Sequence, residues 1–104
     1  MAIQVPSALL DACVLAVLVR EDTYGYCLTQ SVKKTLDVSE STLYPVLRRL
    51  EIEGCLTTYD KPYSGRNRRY YKITELGVEK WQAYLEEWQE FKQKIDKVLE
   101  GEKQ

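Results

Sequence analysis

The chain has 104 residues, 44% hydrophobic and 30% charged, with five glycines and three prolines; that is a globular composition, and it excludes a wholly disordered or collagen-like polymer. It contains no histidine, so imidazole-based acid–base catalysis and imidazole metal sites are excluded. The net charge of −1 hides a segregated distribution: residues 1–60 hold five basic and eight acidic side chains, residues 61–74 five basic and none acidic, and residues 75–104 five basic and eight acidic.

A basic segment of this kind binds phosphate whatever the whole-chain sum, because charges beyond a Debye length are screened, although such a run also reads as an ordinary solvated turn. At this length one domain is expected, with a core small enough to lean on a partner. Cys13, Cys27 and Cys55 are odd in number and far apart, which fits buried thiols in a reducing compartment; their spacing supports neither zinc nor a redox pair. No cofactor is implied. The longest apolar run, Ala12 to Val19, is eight residues, against the roughly 20 needed to span a bilayer. No basic cluster precedes it as in a signal peptide, so a cytoplasmic protein with no membrane contact is expected.

A first helix is expected from about Ala8 to Val19, with Ser7 as its cap and Asp11 as its only charge. Its apolar character on nearly every face leaves period unable to separate helix from buried strand; its length and alanines favour helix, buried on both sides. After the polar break Glu21-Asp22-Thr23, a second helix runs from about Tyr24 to Leu36, with Tyr24, Leu28, Val32 and Leu36 forming one apolar stripe and Gly25 allowing close packing. A third helix follows the break Asp37-Val38-Ser39, capped by Ser39 or Ser41 and ending at Glu53 before Gly54. Leu43, Leu47 and Leu50 face inward. Pro45 either lies in a distorted first turn or shifts the helix start later.

Two helices joined by a short turn, the second presenting a polar outer side, make a helix-turn-helix pattern. On that outer side lie Ser41, Thr42, Tyr44, Arg48 and Arg49, hydroxyls and guanidiniums of the types that hold phosphates and read guanine edges. The same residues also fit the solvated face of an amphipathic helix. Cys55 to Tyr59 and Tyr70 to Ile73 read as strands, separated by a long polar tip from Asp60 to Arg69. That is the hairpin of a winged helix, carrying Lys61, Arg66, Arg68 and Arg69 and packing inward through Leu56, Tyr71 and Ile73.

Thr74 caps a last helix in which Trp81, Tyr84, Trp88, Phe91, Ile95 and Val98 recur at intervals of 3, 4, 3, 4 and 3, a heptad seam widened by Leu85 and Leu99. It reads as a dimerisation arm, or else as a long helix folded back on its own domain. The fold class is therefore mainly α with a small β-hairpin: a winged helix-turn-helix over 1–74 and a C-terminal dimerisation helix over 75–104.

Tyr24-Gly25-Tyr26, then Ser41-Thr42-Leu43-Tyr44-Pro45-Val46-Leu47-Arg48-Arg49-Leu50-Glu51, Glu53-Gly54, and Gly65-Arg66 through Arg69-Tyr70-Tyr71-Lys72-Ile73-Thr74 with Gly77 closely resemble the PadR family of bacterial transcriptional regulators, over residues 8 to about 100. The short arm resembles the compact subgroup that includes a lactococcal multidrug-responsive regulator. The resemblance implies a twofold homodimer on double-stranded, roughly palindromic operator DNA, with the arms packed on the partner's first helix. It also implies a central pore where Trp88 and its mate stack a planar aromatic compound that releases a repressor.

Departures from the subgroup are a shorter, more apolar link before Tyr24 and a first helix without asparagine on its inner side. Trp88 on a seam therefore reads either as packing or as a ligand platform. The ligand wall would include Leu9, Ala12, Cys13 and Ala16, extended by Tyr84 and Phe91. An enzyme is not expected: the hydroxyls of Ser39, Ser41 and Thr42 have no histidine partner, which leaves a lysine-assisted nucleophile as the one enzymatic alternative. The rival reading is a protein-interaction module that dimerises through the last helix and binds no DNA.

Overall fold

The computed structural model describes residues 3–101, so the outer ends of the two expected segments, 1–2 and 102–104, lie outside the described residues. The elements in chain order are α1 (Ser7–Arg20), β1 (Thr23–Tyr24), α2 (Gly25–Lys33), α3 (Glu40–Ile52), β2 (Leu56–Tyr63), β3 (Arg66–Ile73) and α4 (Glu75–Glu100). Among the described residues there are four helices and an antiparallel sheet of order β1-β3-β2.

The core forms where α1, α2 and α3 converge on the base of the sheet. Leu10, Val14, Leu15 and Leu18 of α1 meet Leu28 and Val32 of α2, Leu43, Val46, Leu47 and Leu50 of α3, and Cys55 and Leu56. Each fully buried leucine contributes about 1.5–3 kcal/mol relative to an exposed one. Only one face of α1 reaches this core. Ala12, Cys13 and Ala16 on its other side are half-buried, so the expected burial on both sides is not met within a single chain.

The local signals explain most boundaries. Ser7 is the first helical residue rather than the cap, because Pro6 occupies the cap position and its carbonyl accepts from Leu9 and Leu10. Tyr24 belongs to β1 and not to α2, and α2 ends at Lys33 rather than at the expected Leu36. Ser39 caps α3 through a hydrogen bond from Thr42 N. Pro45 sits inside the helix, neither in the first turn nor before the start. It removes the donor for the Ser41 carbonyl, which lies on the exposed side of the helix.

The hairpin tip is not a long loop. β2 and β3 pair without interruption from Leu56↔Ile73 to Tyr63↔Arg66, leaving a two-residue turn at Ser64-Gly65. Both turn residues have positive φ, 48° and 76°, the condition for the type I′ turn that matches strand twist. Pro62, one position before the last pair, lies on the edge strand at a register where its missing N–H would point outward.

β1 was not anticipated. Its two residues pair Thr23↔Tyr71 and Tyr24↔Tyr70, tying the start of α2 to the hairpin. Thr74 then joins sheet to arm: its hydroxyl donates to the Gly54 carbonyl (2.7 Å) and accepts from Gly77 N (3.1 Å). The first half of α4 lies on α1, whereas everything after Trp88 is exposed, which gives the chain extents of 63 × 31 × 20 Å. No described helix is long and apolar enough to cross a membrane.

Candidate nucleic-acid interface

The outer face of α3 carries Ser41, Thr42, Tyr44 and Arg48, all exposed, as its inward leucines require. Ser39 Oγ lies 2.9 Å from both Ser41 Oγ and Thr42 Oγ1, which gathers three hydroxyls at the start of the helix. The approach to α3 is clamped from α2: Gln30 Nε2 donates to Glu40 Oε1 (2.9 Å), and Lys33 Nζ stands 3.6 Å from the same oxygen. The Tyr44 ring lies along Gly25, where an added Cβ would be 3.5 Å from Tyr44 Cε1 and equally far from Tyr71 Cε2. Gly25 therefore permits close packing, against two tyrosine rings rather than against another helix.

Arg49 is placed differently from its neighbours. Its guanidinium forms a two-pronged ion pair with Asp11 of α1, Nη1 donating to Oδ2 at 3.0 Å and Nη2 to Oδ1, and Nη1 also reaches Glu53 Oε2 at 3.3 Å. The Asp11 side chain is only 7% exposed. Lys80 of α4 completes the group, its ammonium 3.5 Å from Asp11 Oδ2 and 3.0 Å from Glu53 Oε1. Arg49 turns toward α1 rather than onto the outer face on which it was expected, its side chain still 41% exposed.

The charges respond to one another. The hydrogen bond to Asp11 is the largest influence on Arg49 and holds its proton more tightly than usual. The hydrogen bond from Lys80 pulls the Glu53 carboxyl below its ordinary range. Burial opposes the Lys80 charge, but the hydrogen bond to Glu53 and the field of Asp11 outweigh it and raise its pKa. The raised lysine contributes stability below its ordinary pKa that is lost only as pH rises through the raised value. The lowered carboxylate contributes above its ordinary pKa, and this is lost only as pH falls through the lowered value. With no histidine present, the melting temperature is expected to stay flat between about pH 6 and 7.5 and to fall above the ordinary thiol range, where the buried Cys13 and Cys55 resist ionising; calorimetry checks it, and a step near neutrality would contradict it.

The wing presents two faces by strict alternation. Thr57, Tyr59, Lys61 and Tyr63 share one face with Arg66, Arg68, Tyr70 and Lys72; Asp60 and Arg69 are paired on the other. On the first face tyrosines and cations interleave. Tyr59 stacks on Tyr70 (5.5 Å between centroids), Tyr24 tilts against Tyr70, and the Arg68 guanidinium lies between Tyr63 (3.5 Å) and Tyr24 (4.3 Å). Lys61 sits 5.3 Å above Tyr70. Tyr59 Oη donates to Asp22 Oδ2 at 2.8 Å, a bond that raises the phenol pKa. Arg66, Arg69 and Lys61 are exposed, while Arg68 is half-buried in its sandwich. The tyrosines of this face, and Lys72 at its base, were missed as a group. Alternation through Tyr59-Lys61-Tyr63 and Arg66-Arg68-Tyr70-Lys72 would have revealed them had the polar tip been read as strand.

The arm brings a second set together. Leu9, Ala12, Cys13 and Ala16 of α1 and Trp81, Tyr84, Leu85 and Trp88 of α4 line a concavity of about 200 Å³. Phe91 stands outside it, on an adjoining hollow shared with Tyr84 and Trp88, its ring 6.5 Å from that of Trp88. Phe91 is 56% exposed and Val98 78%. Burial raises the Cys13 thiol pKa, as it does that of Cys55 in the core, whereas Cys27 is exposed rather than buried. Among the described residues no cluster suited to a metal ion occurs.

The family model described as "Transcriptional regulator PadR-like family" matches residues 14–83, which takes in the helix-turn-helix, the wing and the start of the arm. Protein X of Lysinibacillus sphaericus is 35% identical over 97 residues, covering 88% of this chain and 89% of its own. The crystal structure of smu.1704 from Streptococcus mutans superposes with a TM-score of 0.89 at 36% identity, over 100% of this chain and 98% of that one. A PadR-like transcriptional regulator from Bacillus cereus superposes with a TM-score of 0.82 at 32% identity, over 90% and 94% of the two chains. With the fold, the helix-turn-helix segment and the wing all falling inside the matched span, the chain belongs to the PadR-like family of transcriptional regulators and is not an enzyme.

Proposed function

We propose that the chain acts as a twofold homodimer that sets α3 of each protomer into successive major grooves of a roughly palindromic operator and represses by blocking polymerase. The main support is the placement of the exposed Ser41, Thr42, Tyr44 and Arg48 on one helix face and the basic wing beside it, in a chain whose remaining surface is acidic overall. Ser41, Thr42 and Tyr44 hold phosphates, Arg48 reaches base edges, and Lys61, Arg66 and Arg69 grip flanking phosphates. Arg68, stacked between two tyrosines, stiffens the wing and offers only its edge to DNA. Arg49 is omitted from the contact set, because Asp11 and Glu53 occupy it.

The uncovered apolar stripe of Phe91, Ile95, Val98 and Leu99 supports dimerisation, since a contiguous exposed stripe of this kind is costly in a free chain. Trp81, Tyr84 and Trp88 continue the same seam toward α1. Each protomer supplies half of an aromatic-walled space; two concavities of about 200 Å³ facing across a twofold axis reach the size of small-molecule sites. A planar aromatic effector between the paired Trp88 rings would change the separation of the two reading helices.

Mobility shift with the DNA upstream of the protein's own gene tests the reading: a shifted duplex supports it, and no shift with any genomic fragment favours an interaction module. The double variant F91E/I95E is expected to sediment as a monomer and to bind the operator at least about 100-fold more weakly, as each half-site is then held alone. Quenching of tryptophan fluorescence by planar aromatic cations, abolished in Trp88→Ala, tests the effector site; an unquenched parent protein overturns it.

A further inference from the structure

We propose that Asp11 is a positioning residue that sets the angle between the reading helix and the arm, and so fixes which half-site spacing the dimer accepts. The inference rests on the DNA-binding dimer proposed above. Asp11 is the one buried carboxylate of α1, and two cations from two other elements converge on it: Arg49 from α3 and Lys80 from α4. Glu53, at the end of α3, closes the group by contacting both cations.

The neighbours in sequence show what each leg moves. Arg49 follows Arg48, which is exposed on the outer face of α3, so turning α3 about its axis to move Arg48 drags the guanidinium off Asp11. Lys80 precedes Trp81 and Asp11 precedes Ala12, and both Trp81 and Ala12 line the α1–α4 concavity. A shift of α4 along α1 therefore lengthens the Lys80–Asp11 contact, and the reading helix is referenced to the arm through one carboxylate. The apolar contacts in the same region are non-directional and tolerate sliding. The fork of Arg49 on Asp11 is directional, because two parallel N–H···O bonds hold only at one relative orientation. In a twofold dimer an angular error at this joint appears twice, once at each half-site.

The test compares affinities and uses the intact protein. The footprinted operator upstream of the protein's own gene is set against the same duplex carrying one extra base pair at its centre, and the affinity ratio is measured for wild type, Asp11→Asn and Lys80→Gln. Asp11→Asn keeps the shape and removes the charge, leaving Glu53 to hold both cations. Lys80→Gln removes only the arm's leg and keeps the Asp11–Arg49 fork, so it guards against a folding defect in the first variant. Both are expected to reduce the wild-type ratio by about tenfold, with sedimentation as a dimer and affinity for random duplex retained, and Lys80→Arg is expected to restore it.

A purely structural role would lower the melting temperature and leave the ratio untouched. Variants that keep the wild-type ratio overturn this inference while the regulator reading stands. A wild type that binds no operator defeats that reading, and this inference with it.

Discussion

Gly77→Ala will lower the melting temperature by roughly 5–15 °C, since among the glycines its added methyl group meets the closest obstacle. A Cβ built at Gly77 would stand 2.3 Å from the Cys55 carbonyl oxygen and 2.6 Å from Ile73 Cγ1. The carbonyl cannot retreat freely, because it accepts from Thr74 N at 3.0 Å while Cys55 N donates to Leu50 O at 2.9 Å. Relief requires lifting the first turn of α4 off the sheet and breaking the Thr74 cap. Overpacking of this kind costs about 1–3 kcal/mol and at times more, against the roughly 1 kcal/mol that alanine gains over glycine in a helix. Steric cost wins because the obstacle is backbone. Gly25→Ala is the control: its Cβ meets only ordinary contacts with Tyr44 and Tyr71, and a change within about 1 kcal/mol is expected. Equal effects at the two glycines, read by calorimetry, would contradict the packing described for Gly77.

The double variant R66A/R69A will bind operator about 100-fold more weakly, and random duplex by nearly the same factor. Both side chains are exposed on the wing, on opposite faces of β3, and neither has an acidic partner within salt-bridge distance among the described residues. Contacts to phosphate carry no base information, so their loss falls on all sequences alike. In a dimer the two substitutions remove four cations. The slope of log affinity against log salt should then become shallower by roughly 3 to 4, since each neutralised phosphate contributes about 0.9. Arg48→Ala should behave oppositely: a smaller loss on random duplex, a larger one on operator, and little change in slope. A salt titration in which R66A/R69A keeps the wild-type slope would remove the wing from the interface.

The parts of this fold that were legible in the sequence are those whose pattern is local. The third helix announced itself through Leu43, Leu47 and Leu50 and the Ser39 cap, and the arm through its heptad spacing. β1 was invisible because Thr23 and Tyr24 form a strand only when β3 is beside them, and two residues carry no period. The polar run from Asp60 to Arg69 looked like a loop by composition; cross-strand tyrosine and cation contacts, together with the Ser64-Gly65 turn, extend the strands through it. Arg49 was assigned by its angle on the helix. Angle alone could not reveal a carboxylate 38 residues earlier in the chain, and Asp11 stood out only as a charge in an apolar run. Trp88 and the α1 residues were grouped through the family resemblance rather than through spacing, and the concavity that gathers six of the seven exists because α4 folds along α1.

The edge strand β2 has a further consequence. An unpaired strand edge invites a neighbouring molecule to add itself to the sheet, and repetition of that step builds fibrils. Pro62 leaves a gap in the outward row of donors, and Lys61 beside it would face another ammonium in a symmetric approach centred on this tip. The hairpin is thus protected against self-association at the same tip that carries its positive charge, and a polyanion can approach that tip where a second hairpin cannot.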